Sequence, residues 1–120
     1  SNRMGVLVQM NNAATDANRV AGKDVAMQIA AMNPVAVNRD SVDASTIERE
    51  LEIGREQARA EGKPEAMIDR IATGKLEKFF KESTLAAQDF VKDGSMTIEK
   101  YLTSVEPGLT VTRFKRVQLG

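Results

Sequence analysis

Lys23-Asp24-Val25-Ala26-Met27-Gln28-Ile29-Ala30-Ala31-Met32-Asn33-Pro34 is the stretch on which the fold turns. Up to Met32 its polar side chains are Lys23, Asp24 and Gln28 alone, so a helix here is apolar almost all the way round. Val25, Ile29 and Met32 form one stripe at i, i+4 and i+7, while Ala26 with Ala30 and Met27 with Ala31 cover most of the rest. Such a helix is expected to be enclosed by neighbours, and its alanines permit close approach. The helical pattern reaches back to about Thr15, where Thr15 or Asp16 can cap the N-terminus. Asn33-Pro34 stops it, because the residue before a proline avoids the α region. A central strut is therefore expected.

Upstream, Met4 to Met10 is a short β-branched run ended by Asn11-Asn12, and it reads as a buried strand. It starts at once, which suggests that a hairpin mate has been lost, and Ser1-Asn2 reads as the remnant of a cleaved tag. Downstream, Asp43 or Ser45 can cap a helix running to about Glu61. Ala44, Ile47, Leu51, Gly54 and Ala58 follow 3-4-3-4 spacing, a heptad seam. Arg49–Glu52, Glu52–Arg55 and Glu56–Arg59 are spaced to pair on the wet face, each worth about 0.2–0.5 kcal/mol. Gly62 fits a left-handed cap position and Pro64 the first position of a new helix carrying Met67, Ile68, Ile71, Ala72, Leu76, Phe79 and Phe80. Residues 44 to 82 thus read as an antiparallel helical hairpin, thin at the tip (Gly54, Ala58) and thick at the base (Phe79, Phe80).

Leu85 to Lys92 looks irregular, and a short helix over Thr97 to Leu102 is capped by Thr97 or Ser95. Thr110 to Leu119 is strand-like, with a change of side-chain parity that suggests a bulge near Arg113. The expected fold class is α+β: a small antiparallel sheet from the terminal strands packed on helices, with the coiled-coil-like hairpin projecting. Residues 3–120 read as a single domain.

Composition narrows the chemistry. The 120 residues carry 17 basic and 17 acidic side chains, a formal net charge of zero that announces no polyanionic partner. There is no cysteine and no histidine, so the commonest metal ligands and the usual neutral-pH proton carrier are missing. Glu48 and Glu52 lie one turn apart, but a lone carboxylate pair is a weak metal signal. Gly-Lys at residues 22–23, 62–63 and 74–75 lacks the spacing of a phosphate-binding loop. Arg113, Lys115 and Arg116 have no interleaved aromatics to form a stacking platform. A soluble, cytoplasmic, non-catalytic protein is expected, with no catalytic residue, cofactor, metal, membrane span or direct nucleic-acid contact.

The order of motifs carries more. Arg3-Met4-Gly5-Val6-Leu7-Val8 is followed by Asp24 to Pro34, Gly62-Lys63-Pro64, Gly74-Lys75-Leu76 with Lys78-Phe79, and Gln88-x-Phe90-Val91-Lys92-Asp93. Collinear over nearly the whole chain, these resemble the C-terminal core half, or dimerisation domain, of bacterial translation elongation factor Ts. The resemblance implies part of a guanine nucleotide exchange factor for elongation factor Tu, supplying docking and self-association surfaces and not the exchange wedge. Its implied partners are elongation factor Tu and a second copy of itself in a homodimer. Phe90, Val91 and Lys92 match the element that contacts the partner in relatives, although Phe90 also suits a core anchor under the loop. Asp89 stands where many members carry proline, and Asp89-Phe90-Val91 imitates the wedge motif without its setting. Gln28 stands where many carry histidine, leaving any hydrogen bond there to an amide that cannot titrate. A helical-hairpin adaptor unrelated to translation is the other reading the residues allow.

Overall fold

The computed structural model describes residues 3–12 and 14–119; the suggested tag remnant at Ser1-Asn2 lies outside them. Chain order is β1 (Arg3–Met10), α1 (Asp16–Met32), α2 (Ala44–Ala60), α3 (Glu65–Ser83), β2 (Asp89–Phe90), β3 (Asp93–Thr97), α4 (Ile98–Val105) and β4 (Val111–Leu119). The architecture is α+β, with β1–β4 forming one antiparallel two-stranded sheet and β2–β3 another.

The terminal strands pair as expected, from Arg3 opposite Leu119 to Gln9 opposite Arg113. Met10 then faces Val111, so Thr112 is the extra residue of a bulge, beside the position where the parity changes. β1 is not the buried strand its composition suggests. Val6, Val8 and Met10 pack on the core, but Leu7 on the opposite face is 72% exposed. With a period of two, a sheet covered on one side leaves alternate residues to solvent.

Helix α1 begins where the sequence places it. Thr15 Oγ1 accepts from the Asn18 backbone N–H at 3.1 Å. Its end is a left-handed Asn33 (φ 45°) whose N–H donates to Ile29 O at 2.9 Å. Asparagine tolerates that conformation better than most side chains, so the stop is a left-handed cap as well as a proline.

The enclosed-helix expectation fails in an informative way. The buried face of α1 is Asn18, Ala21, Asp24, Val25, Gln28 and Ile29, two of whose members are polar residues from the opening stretch. Met27 and Met32 are instead 55% and 47% exposed. Ala21, Val25 and Ile29 join Leu85, Phe90, Ile98, Leu102, Leu109 and Val111 in the main core.

The hairpin follows its seam. A Cβ on Gly54 would sit 3.1 Å from Ala72 Cα, which is why the two helix backbones can approach so closely there. At the tip, Gly62 takes φ +75°. Its N–H donates to Arg59 O at 3.0 Å, and that of Lys63 donates to Ala58 O at 3.1 Å. These two bonds make a Schellman cap. Pro64 is the cap residue of α3 and not its first helical residue. Of the three expected ion pairs within α2, only Glu52–Arg55 forms among the described residues; Arg55 and Arg59 reach across to Asp69 and Glu65. The base is a second apolar cluster of Ala36, Val42, Leu76 and Phe80. It is tied to the segment after α1 by Val35 N–H to Ser83 O (2.8 Å) and Leu85 N–H to Ala36 O (2.9 Å).

The stretch read as irregular holds a short 3-10 turn, Leu85–Ala87, and then β2. Helix α4 starts under the Thr97 cap, whose Oγ1 accepts from Lys100 N–H at 3.2 Å.

Candidate partner-binding site

Residues 88–92 leave the hairpin, cross the flank of α1 and turn into β3. A two-residue strand carries little pairing of its own, so most of its backbone groups need partners from elsewhere. Gln28 supplies them. Its Nε2 donates to Asp89 O at 3.0 Å and to Gln88 Oε1 at 3.2 Å, and its Oε1 accepts from Val91 N–H at 2.9 Å. The Asp89 carbonyl and the Val91 N–H face the same side of an extended chain, so one side-chain amide serves them as a neighbouring strand's peptide group would. That pairing also fixes which way round the amide lies. Gln28 is fully buried and Gln88 is 2% exposed, and Gln88 Nε2 in turn donates to Glu82 O at 3.0 Å. The network is closed at both ends.

One turn earlier, Asp24 holds the other side of the loop. Lys92 Nζ donates to Asp24 Oδ1 at 3.0 Å, and Tyr101 OH, from α4, donates to Oδ2 at 2.5 Å. Burial alone pushes the Asp24 carboxyl up, but the hydrogen bonds from Tyr101 and Lys92, with the charge of Lys92, outweigh it and leave the group below its ordinary value. Tyr101 moves the opposite way, pushed up to about 12 by burial and by its bond to the Asp24 carboxylate. The Tyr101 ring stacks on Phe90 with centroids 4.3 Å apart, so the phenol grips both the loop's anchor and the helix.

The expected contact residues therefore divide. Phe90 is 4% exposed and belongs to the core, the anchor alternative. Val91 is 57% exposed, and Lys92 keeps 61% of its side chain in solvent although its amine is tied. Met27 and Ala31, also exposed, lie on α1 one turn from Asp24 and Gln28 respectively. Val91 thus presents an exposed apolar side chain beside a buried polar clamp. Asp24 and Tyr101 were missed by sequence reasoning; the available signal was two polar residues, Asp24 and Gln28, at i and i+4 on an otherwise apolar helix.

Other candidates do not assemble. Glu52 is held by Arg55 at 3.2 Å and Arg59 at 4.0 Å, so the Glu48–Glu52 pair is not a free carboxylate site. Arg113 and Lys115 project from the outer sheet face, while Arg116 turns inward and donates to Ala30 O at 3.3 Å. No helix among the described residues is long and apolar enough to cross a membrane.

The family model for elongation factor Ts matches residues 1–120. The chain belongs to the elongation factor Ts family. It is 57% identical to an elongation factor Ts of Amoebophilus asiaticus over 119 residues, which are 99% of this chain and 43% of that relative. It is 54% identical to one from Cytophaga hutchinsonii over 98% of this chain and 42% of the relative. With the Clostridium botulinum elongation factor Ts the identity is 46%, over 98% and 40% respectively. The chain thus spans about two fifths of the length of these elongation factor Ts relatives.

Proposed function

We propose that this chain is part of a cytoplasmic guanine nucleotide exchange factor for elongation factor Tu, and that residues 3–120 act as one docking domain with no catalytic site of their own. The observation that carries the reading is the solvent-facing Val91, on a loop whose backbone is bonded by Gln28, in a chain of the elongation factor Ts family. Val91, Met27 and Ala31 supply apolar contact, with Lys92 at its rim and Phe90 as the anchor beneath. Family membership sets aside the unrelated adaptor.

Exchange is differential binding: the whole factor stabilises nucleotide-free Tu over the GDP-bound form. A docking surface adds affinity for both forms and shifts their balance little. Phe90 lies under the loop and stacked on Tyr101, which supports reading Asp89-Phe90-Val91 as an anchor and not an inserted wedge. Self-association to a homodimer is assigned to the sheet, where Leu7 is exposed and the outer edges of β1 and β4 have no strand partner among the described residues.

The test is calorimetric binding of the chain to GDP-loaded Tu, with GDP release followed in parallel. The chain binds, Val91→Asp weakens binding by about tenfold or more, as expected at a hot spot, and thermal unfolding barely moves. GDP release accelerates little. No binding at high micromolar concentration, or acceleration near that of a full-length factor, would overturn the proposal.

A further inference from the structure

We infer that Gln28 is a positioning residue for partner docking: its buried amide, by standing in for a neighbouring strand, sets the register in which Val91 and Lys92 meet elongation factor Tu. The inference rests on the docking reading above and goes beyond it, because Gln28 itself is fully buried and touches no partner.

Three observations combine. The amide's donor and acceptor both bond the loop backbone, at Asp89 O and Val91 N–H, so the constraint falls on the peptide groups on either side of Phe90. Its second donor bond, to Gln88 Oε1, links it to a side chain fixed by Glu82 O, so the amide has no freedom to rotate. Core packing alone would ask only for bulk. Methionine has similar length and flexibility and fills such a site, yet it offers no N–H and only a weak acceptor. Phe90 anchors the loop against sliding and β2 pairs with β3, and the amide adds the constraint at the peptide groups on either side of Phe90. A surface whose geometry is fixed before binding loses less ordering entropy on docking, and the effect is expected mainly in the dissociation rate.

The experiment uses the full chain with GDP-loaded Tu and four variants: Gln28→Met, Gln28→Glu, Val91→Ala and the Gln28→Met/Val91→Ala pair. Gln28→Met is expected to dissociate about tenfold faster, the equivalent of 1.4 kcal/mol. Gln28→Glu keeps the acceptor and the shape but presents an oxygen to Asp89 O, and it provides the reading where the methionine variant is too destabilised to purify. In the Val91→Ala background Gln28→Met adds little, because the amide acts through Val91. The Val91 amide exchanges hydrogen faster in Gln28→Met than in the parent. Parent-like dissociation in both Gln28 variants, with Val91→Ala still weakened, overturns the positioning role and leaves the docking reading standing, as do fully additive effects in the cycle. Parent-like binding by Val91→Ala defeats the docking reading itself.

Discussion

Replacing Asp24 by asparagine probes the clamp with almost no change of shape. In the native chain the carboxylate, 7% exposed, accepts from Tyr101 OH at 2.5 Å and from Lys92 Nζ at 3.0 Å. In the Asp24→Asn variant the Tyr101 bond becomes neutral to neutral. Hydrogen bonds to charged groups contribute about 1.5–3 kcal/mol and neutral ones about 0.5–1.5, so roughly 1 kcal/mol is lost there. The Lys92 bond is lost outright, but most of that side chain is already in solvent, and such pairs are worth about 0.2–1 kcal/mol. The sum is about 1–2 kcal/mol at neutral pH. With a urea m-value of about 2 kcal/mol per molar, the middle of the usual range, the midpoint falls by about 0.5–1 M, read from the helical circular dichroism.

The pH dependence is the sharper part of this prediction. The Asp24 carboxyl is held below its ordinary value in the folded chain, so its contribution is complete above the unfolded pKa. It fades as pH falls through the folded pKa, where the native aspartate takes up a proton and becomes neutral, as asparagine is at every pH. The gap between the parent and Asp24→Asn should therefore be widest at pH 6–7 and narrow as the pH drops below the ordinary aspartate value. An equal gap at both ends, or none at neutral pH, would refute the assignment of Asp24 as a stabilising carboxylate.

Tyr101 is the sole tyrosine, so its titration by ultraviolet absorbance is unambiguous. A midpoint near 12 is expected for the parent, falling back toward the ordinary tyrosine value in Asp24→Ala. Because the folded value is raised, this stabilisation is complete below the unfolded pKa of about 10 and is lost as pH rises through the folded one. In the hairpin, two Gly→Ala substitutions should have opposite signs in thermal unfolding. At Gly74, where an added Cβ meets nothing within 4 Å, alanine should stabilise by about 0.4–1 kcal/mol. At Gly54 the added Cβ lies 3.1 Å from Ala72 Cα, and the overpacking of about 1–3 kcal/mol should exceed the helix-propensity gain of about 1. Equal effects at the two sites would mean that the interhelical contact does not constrain the hairpin.

Much of the architecture was legible because its signals are local. The Thr15 and Thr97 caps, the Gly62 reversal and the small-residue seam at Gly54 and Ala58 rest on chemistry within a few residues. The terminal strand pair and its bulge were legible from composition and parity. The β2–β3 pair was not, since a two-residue strand has too few residues to show alternation. The site was half legible: resemblance pointed to Phe90, Val91 and Lys92, but nothing in their order separates the buried anchor from its exposed neighbours.

By itself the sequence determined that the stretch from Lys23 to Met32 is helical and where that helix stops. Only the tertiary structure decided which face of that helix goes inside. Its apolar residues run almost all round, so hydrophobic periodicity sets no preferred direction. The choice fell to the loop that crosses it. A buried amide needs hydrogen-bond partners, and the peptide groups at Asp89 and Val91 give Gln28 its partners inside, with Asp24 bonded to Lys92 and Tyr101 on the same flank. Met27 and Met32 are left in solvent, and Met27 with Val91 supplies the surface proposed for docking.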